Sequence, residues 1–261
     1  MTEVPTRRPQ GAPCWVSLMV RSLPVTQEFY SGLFGWEFQP GPRHFGPYVR
    51  ATLDGRMVAG IGEAPRGRRL PIAWTTYLSS PDADATAELI RVCGGTVAVG
   101  PLDADDEAGR MVIAADPSGA VFGVWQPGLH PGLQVSGEPG SLAWSELVTR
   151  EAGAVAKFYT AVFGYESEAT GGATAADHLT LRLNGRRVAG VHGVGRALPA
   201  DRGAHWMTYF AVADPDAAAA RVVELGGRVL DEPADRAFGR QATVADVEGA
   251  VFTVIRPTAA G

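Results

Sequence analysis

The sequence predicts an α+β fold made by tandem duplication: four β-α-β-β-β units arranged in two halves of about 130 residues each. Matched segments in the same order along the chain carry this reading. Glu28-Phe29-Tyr30-Ser31-Gly32-Leu33-Phe34-Gly35-Trp36 recurs as Lys157-Phe158-Tyr159-Thr160-Ala161-Val162-Phe163-Gly164-Tyr165. Leu53-Asp54-Gly55-Arg56 recurs as Leu183-Asn184-Gly185-Arg186, Trp74 to Tyr77 as Trp206 to Tyr209, and Gly119 to Phe122 as Gly249 to Phe252. Apolar patterning is the second observation, because it switches between the strand and helix periods twice in each half.

Cys14 to Val20 alternates apolar and small residues like a half-buried strand. Val25 to Phe34 places Val25, Phe29, Leu33 and Phe34 on one helical face, and Gly35 sits where a C-cap belongs. Strands follow at Tyr48 to Leu53 and Arg56 to Ile61, joined by Asp54-Gly55, a two-residue hairpin signal. The next unit reads as a strand at Ile72 to Leu78 and a helix from Asp82 to Val92. Its last strands lie near Thr96 to Val99, Arg110 to Ala114 and Ala120 to Gln126. The second half repeats this plan. The expected division is a flexible tail over 1–12, domains over 13–127 and 141–258, and between them a linker over 128–140 rich in Pro and Gly.

Composition narrows the function. The 261 residues carry a formal charge of −5, which argues against an electrostatic grip on nucleic acid or anionic lipid. No apolar run approaches the ~18 residues of a membrane span. Two cysteines, Cys14 and Cys93, make neither a disulfide framework nor a four-thiolate metal site, and they fit a reducing, cytoplasmic setting.

The chain resembles the vicinal oxygen chelate superfamily of glyoxalases, bleomycin-resistance proteins and extradiol dioxygenases. The likeness rests on Phe29-Tyr30 with Leu33-Phe34-Gly35-Trp36, on the Asp116-Pro117-Ser118-Gly119 turn, and on their repeats, where Asp246-Val247 replaces Asp-Pro. It spans about Gly11 to Pro257 and is strongest toward actinobacterial two-domain glyoxalase-like proteins, some of them labelled hydroxylases. The resemblance implies paired glyoxalase-like units curled into two cup-shaped mixed sheets, with helices outside and a ligand within.

Metal-dependent members of that superfamily hold a divalent ion on His and Glu side chains at four inward-facing strand positions. Counted from the matched motifs, these positions fall at Trp15, Gly60, Thr75 and Gly123, and again at Trp144, Gly190, Met207 and Thr253. None is a good hard-metal ligand, whether the units pair within each half or crosswise, first with fourth and second with third. The expectation is therefore no metal and no cofactor. Of the histidines, His44 lies in a turn-like segment and His130 in the linker, and both read as surface residues, while His178 and His205 stand at or beside strand starts. His192 shares a strand face with Gly190 and is a candidate for ligand contact or proton transfer.

Strand parity predicts a cup lining of Trp15, Ser17, Thr75, Tyr77 and Trp125 in the first half, and Trp144, Glu146, Met207 and Tyr209 in the second. Such a lining suits stacking against a flat, apolar ligand, with Gly60, Gly123 and Gly190 leaving room for it. Glu146 is a candidate general base or an anchor for a cationic group, and its counterpart is Ser17, so the two cups are not equivalent. The predicted function is metal-independent binding of an aromatic or polycyclic small molecule, in natural-product sequestration, resistance or an accessory biosynthetic role. The alternative is a glyoxalase-like lyase or hydroxylase-type enzyme acting on a small carbonyl or polyketide substrate through Glu146 and His192. Four units complete two cups in one chain, which favours a monomer over a homodimer.

Overall fold

In a computed structural model, residues 8–41, 46–65, 67, 71–105, 107–170, 177–198, 200 and 202–258 are described. The first half runs β1 (Pro13–Val20), α1 (Leu23–Phe34), β2 (Glu37–Pro40), β3 (Tyr48–Leu53), β4 (Arg56–Glu63), β5 (Trp74–Ser79), α2 (Ala83–Val92), β6 (Thr96–Asp105), β7 (Gly109–Ala115) and β8 (Val121–Pro127). The second half repeats it as β9 (Leu142–Thr149), α3 (Ala152–Phe163), β10 (Glu166–Ala169), β11 (His178–Leu183), β12 (Arg186–Gly193), β13 (His205–Ala211), α4 (Pro215–Glu224), β14 (Arg228–Arg236), β15 (Gly239–Ala245) and β16 (Val251–Pro257). The sequence patterns did not mark β2 and β10. Both are four-residue, mostly exposed strands paired on one side only, too short and polar to show alternation.

Local chemistry sets the boundaries. Pro24 stands in the first turn of α1, and Gly35 closes it in the left-handed conformation at φ 72°, as Gly164 closes α3 at φ 75°. Asp82 and Asp214 cap α2 and α4 by accepting backbone N–H bonds. Asp54-Gly55 and Asn184-Gly185 both take positive φ, the requirement of the two-residue turns that join β3 to β4 and β11 to β12.

Each half forms one eight-stranded mixed sheet, in the order β2-β3-β4-β1-β5-β8-β7-β6 and β10-β11-β12-β9-β13-β16-β15-β14. Strand pairing therefore joins the first unit to the second and the third to the fourth. Hydrophobic packing runs the other way. One core joins Leu18, Phe29, Tyr30 and Trp36 of the first unit to Phe210, Val222 and Phe252 of the fourth. The other joins Ile90 and Phe122 of the second unit to Leu147, Tyr159 and Phe163 of the third. The crosswise arrangement weighed from the sequence thus describes the cores and not the sheets.

A polar node sits in each core. The Tyr30 hydroxyl accepts from Trp74 Nε1 and donates to Asp246 Oδ2, both at 3.0 Å. Tyr159 accepts from Trp206 Nε1 at 2.9 Å and donates to Asp116 Oδ2 at 3.0 Å. Both tyrosines and both aspartates are buried. The repeated Phe-Tyr and Asp turns of the sequence are these two nodes, each spanning the two halves.

Residues 1–7 of the expected tail lie outside the described residues, as does His44. Gly11 and Ala12, also assigned to the tail, are instead buried: Gly11 N donates to Ser79 O, and the Tyr165 hydroxyl donates to Gly11 O. Within the predicted linker Leu133 and Val135 are buried, and Leu133 N donates to Cys14 O. An apolar residue every second position made that segment fit for burial despite its turn residues.

Candidate functional site

The two cups differ in content. In the first, the protein's own rings fill the space. Trp15, Tyr77 and Trp125 are buried, and the Trp15 indole donates to the Tyr48 hydroxyl at 3.2 Å. Ser17 donates to the Tyr77 hydroxyl at 3.2 Å. His130 packs edge-on against Trp15 with centroids 4.5 Å apart, and at 5.4 Å from Trp125. This corrects the surface position expected for His130. The glycines are explained by the same crowding: a Cβ on Gly60 would lie 1.6 Å from the Tyr48 hydroxyl, and one on Gly123 2.1 Å from the Tyr77 ring. They make room for tyrosines of the chain, not for a ligand. Gly123→Ala should cost about 1–3 kcal/mol of stability by overpacking, read as a lower urea midpoint.

Burial, with the charge of Arg50 as the smaller cause, pushes His130 down to about 4. An unfolded histidine titrates near 6.5, so between those values the unfolded chain binds more protons. The stabilisation is complete above about pH 6.5 and is lost as pH falls through 4. Urea midpoints measured across this window should fall with pH, and less steeply in His130→Gln.

The second cup is open. A cavity of about 550 Å³ is lined by Trp144, Glu146, Thr180, Tyr209, Phe238 and Ile255, with Arg187 at its exposed side. Glu146 is buried, and its Oε2 accepts from the Tyr209 hydroxyl at 2.9 Å. Its Oε1 lies 3.4 Å from His178 Nε2. The His178 ring stacks on His192, with centroids 3.8 Å apart and planes 19° from parallel. The bond to Glu146 pushes His178 up from the usual histidine value, while burial and then the neighbouring His178 hold His192 down. A Cβ on Gly190 would lie 3.0 Å from Glu146 Oε1 and 3.1 Å from Trp144 Nε1, so here too the glycine accommodates side chains of the chain.

Strand register explains how these groups meet. Glu146 pairs with Gly190 on β12 and with Met207 on β13, while Tyr209 pairs with Trp144. His192 stands opposite His178 on β11 and opposite Val148 on β9. The sheet thus places Thr180, Gly190, Glu146 and Met207 in one row and His178, His192 and Val148 in the next. In the first half the corresponding row is Gly60, Ser17 and Thr75. The chelate positions counted from the sequence on β1 and β9, Trp15 and Trp144, lie two residues before Ser17 and Glu146 on the same strands. Only Glu146 in either row offers a metal ligand, so the ion of the metal-dependent members does not fit at its usual place.

Of the residues predicted from sequence, the structure brings Trp144, Glu146 and Tyr209 together around the cavity, with His192 beside Glu146. Met207 is buried next to Glu146 in the sheet. Trp15, Ser17, Tyr77 and Trp125 lie in the filled cup, and Thr75 pairs with Ser17 there. His178 was missed as a site residue. The shift in register between Leu181 and Arg182 puts His178 opposite His192; plain counting from the Asn184-Gly185 turn would put it opposite Val191, on the other face. A signal was available in the repeat, since His178 matches Tyr48, which faces Gly62 across the corresponding bulged hairpin.

Two cups of paired β-α-β-β-β units, with polar groups on the inner sheet face, define the vicinal oxygen chelate fold. Solved structures agree. The chain superposes on the 2,3-dioxygenase LapB from Pseudomonas sp. KL28 with a TM-score of 0.66 at 16% identity, covering 95% of this chain and 93% of that one. It superposes on the Mn(II)-bound glyoxalase from Novosphingobium aromaticivorans with a TM-score of 0.65 at 15% identity, covering 95% and 84%. A model of the glyoxalase-like domain matches residues 145–255. The chain is 38% identical to the anthracycline biosynthesis protein DnrV of Streptomyces peucetius over 98% of both chains. It is 37% identical to the Mycobacterium bovis protein named "Putative glyoxylase CFP32" over 95% of both. The chain belongs to the glyoxalase-like family. No helix among the described residues is long and apolar enough to cross a membrane.

Proposed function

We propose that the second cup binds a planar, polycyclic small molecule by stacking and dispersion, in a cytoplasmic accessory or resistance role in natural-product metabolism, and that the single chain is the working unit. The observation that carries this is the contrast between the cups: the first holds the buried rings of Trp15, Tyr77 and Trp125, while the second keeps a cavity of about 550 Å³, within the range of small-molecule sites. Trp144, Phe238 and Ile255 offer apolar faces to a ring system. Glu146 and Tyr209 offer a paired acceptor and hydroxyl, and Arg187 a cation. Relatives named for anthracycline biosynthesis support a polycyclic ligand.

Binding of this kind draws on no ion. Titration with a hydroxylated anthraquinone should quench tryptophan fluorescence saturably, and equally well after treatment with a chelator. Absence of saturable quenching up to the solubility limit of the probe would sink the proposal. The contact of Glu146 with His178 favours a second reading, an enzyme using the carboxylate as acid or base. Under that reading, Glu146→Gln abolishes turnover of a carbonyl or polyketide substrate while binding survives.

A further inference from the structure

We propose that Glu146, His178 and His192 form a divalent transition-metal site, set two residues along β9 and β12 from Trp144 and Gly190, the positions matched to the chelate ligands. The three side chains each offer one donor atom, and these atoms all lie within 4.8 Å of one another. Two donors on ~2.1 Å bonds at the tetrahedral angle stand about 3.4 Å apart, and His178 Nε2 and Glu146 Oε1 are separated by 3.4 Å. The His178 and His192 rings stack with centroids 3.8 Å apart, which keeps both histidines beside Glu146.

The support around the ligands is of the kind a metal site needs. The Tyr209 hydroxyl holds Oε2 of Glu146 and leaves Oε1 toward the histidines. Gly190, with no side chain, lets the carboxylate reach across β12. The ligands stand on three adjacent strands, β9, β12 and β11, so ladder hydrogen bonds fix their spacing. Two imidazoles and one carboxylate suit zinc, cobalt, nickel or ferrous iron, and not calcium or magnesium, which take oxygen ligands. Three protein ligands leave coordination open, and Glu146 already lines the cavity, so a small oxygen or nitrogen ligand could complete the sphere from that side. The first half has Ser17, Tyr48 and Gly62 at the matching places, which offer no such ligand set.

Protein stripped with a chelator and dialysed is titrated with Co²⁺ and followed by visible absorption. The expected result is one equivalent bound, with ligand-field bands of a nitrogen–oxygen set that Zn²⁺ abolishes by displacement. His178→Ala and His192→Ala should each weaken binding about 100-fold, and His130→Gln in the first cup should leave it unchanged. Thermal unfolding of the stripped proteins shows that the variants fold. Added Zn²⁺ should raise the midpoint of the parent protein and not of the two histidine variants. No saturable Co²⁺ binding at millimolar concentration, or binding that survives both histidine substitutions, would overturn the site. No aromatic ligand enters this titration, so its failure leaves the stacking proposal standing.

Discussion

Trp144→Ala raises the dissociation constant of a planar polycyclic ligand by about 30-fold or more, while Trp15→Phe leaves it within about 2-fold. These residues are counterparts in the repeat, and strand parity alone gives them the same role. The difference lies in what surrounds them. Trp144 is half-buried at the wall of the cavity, with its indole beside Gly190. Trp15 is 4% exposed, bonded to Tyr48 and covered by His130. Removing a large aromatic contact from a desolvated pocket costs about 2 kcal/mol or more, which sets the 30-fold figure. Fluorescence anisotropy of a bound anthraquinone reads the constant without relying on the tryptophan that was removed. Equal losses in both variants would mean that the first cup also opens to ligand.

Asp246→Ala lowers the stability of the whole chain by about 3–5 kcal/mol, the cost of breaking a buried, charge-assisted network. The Asp246 carboxylate is 2% exposed and accepts from the Tyr30 hydroxyl and from the backbone of Glu248 and Ala250. Alanine leaves those two N–H groups without their acceptor and removes a link between the first and fourth units. Burial pushes the Asp246 carboxyl up from the usual carboxylate value, so Asn, a neutral residue of similar shape, should restore part of the loss. Urea denaturation followed by both tryptophan fluorescence and circular dichroism measures the effect. A shift below 1 kcal/mol would show that the node contributes little to holding the halves together.

The fold was legible in the sequence because each unit writes itself locally. The Asp54-Gly55 and Asn184-Gly185 turns, the capping aspartates of α2 and α4, and Gly35 and Gly164 all act within a few residues. The content of the cups was not legible, since it depends on partners far apart in the chain. Gly60 and Gly123 read as space for a ligand, yet Tyr48 and Tyr77 occupy that space. Glu146 was found through its parity with Trp144 and its mismatch with Ser17. Its meeting with His178 rests on one irregularity of register between β11 and β12, and a single extra residue in a hairpin exchanges the faces of everything beyond it.

Each core takes one unit from each half of the duplication, and this bears on how such a chain can arise. A lone half would carry its sheet intact but expose the apolar outer surfaces of both its units, and the partner able to cover both is another copy of itself. The ancestral form implied by this geometry is a homodimer with two identical cups. Joining the copies into one polypeptide removed the requirement that the cups match. One cup now holds buried tyrosine and tryptophan, while the other keeps its cavity.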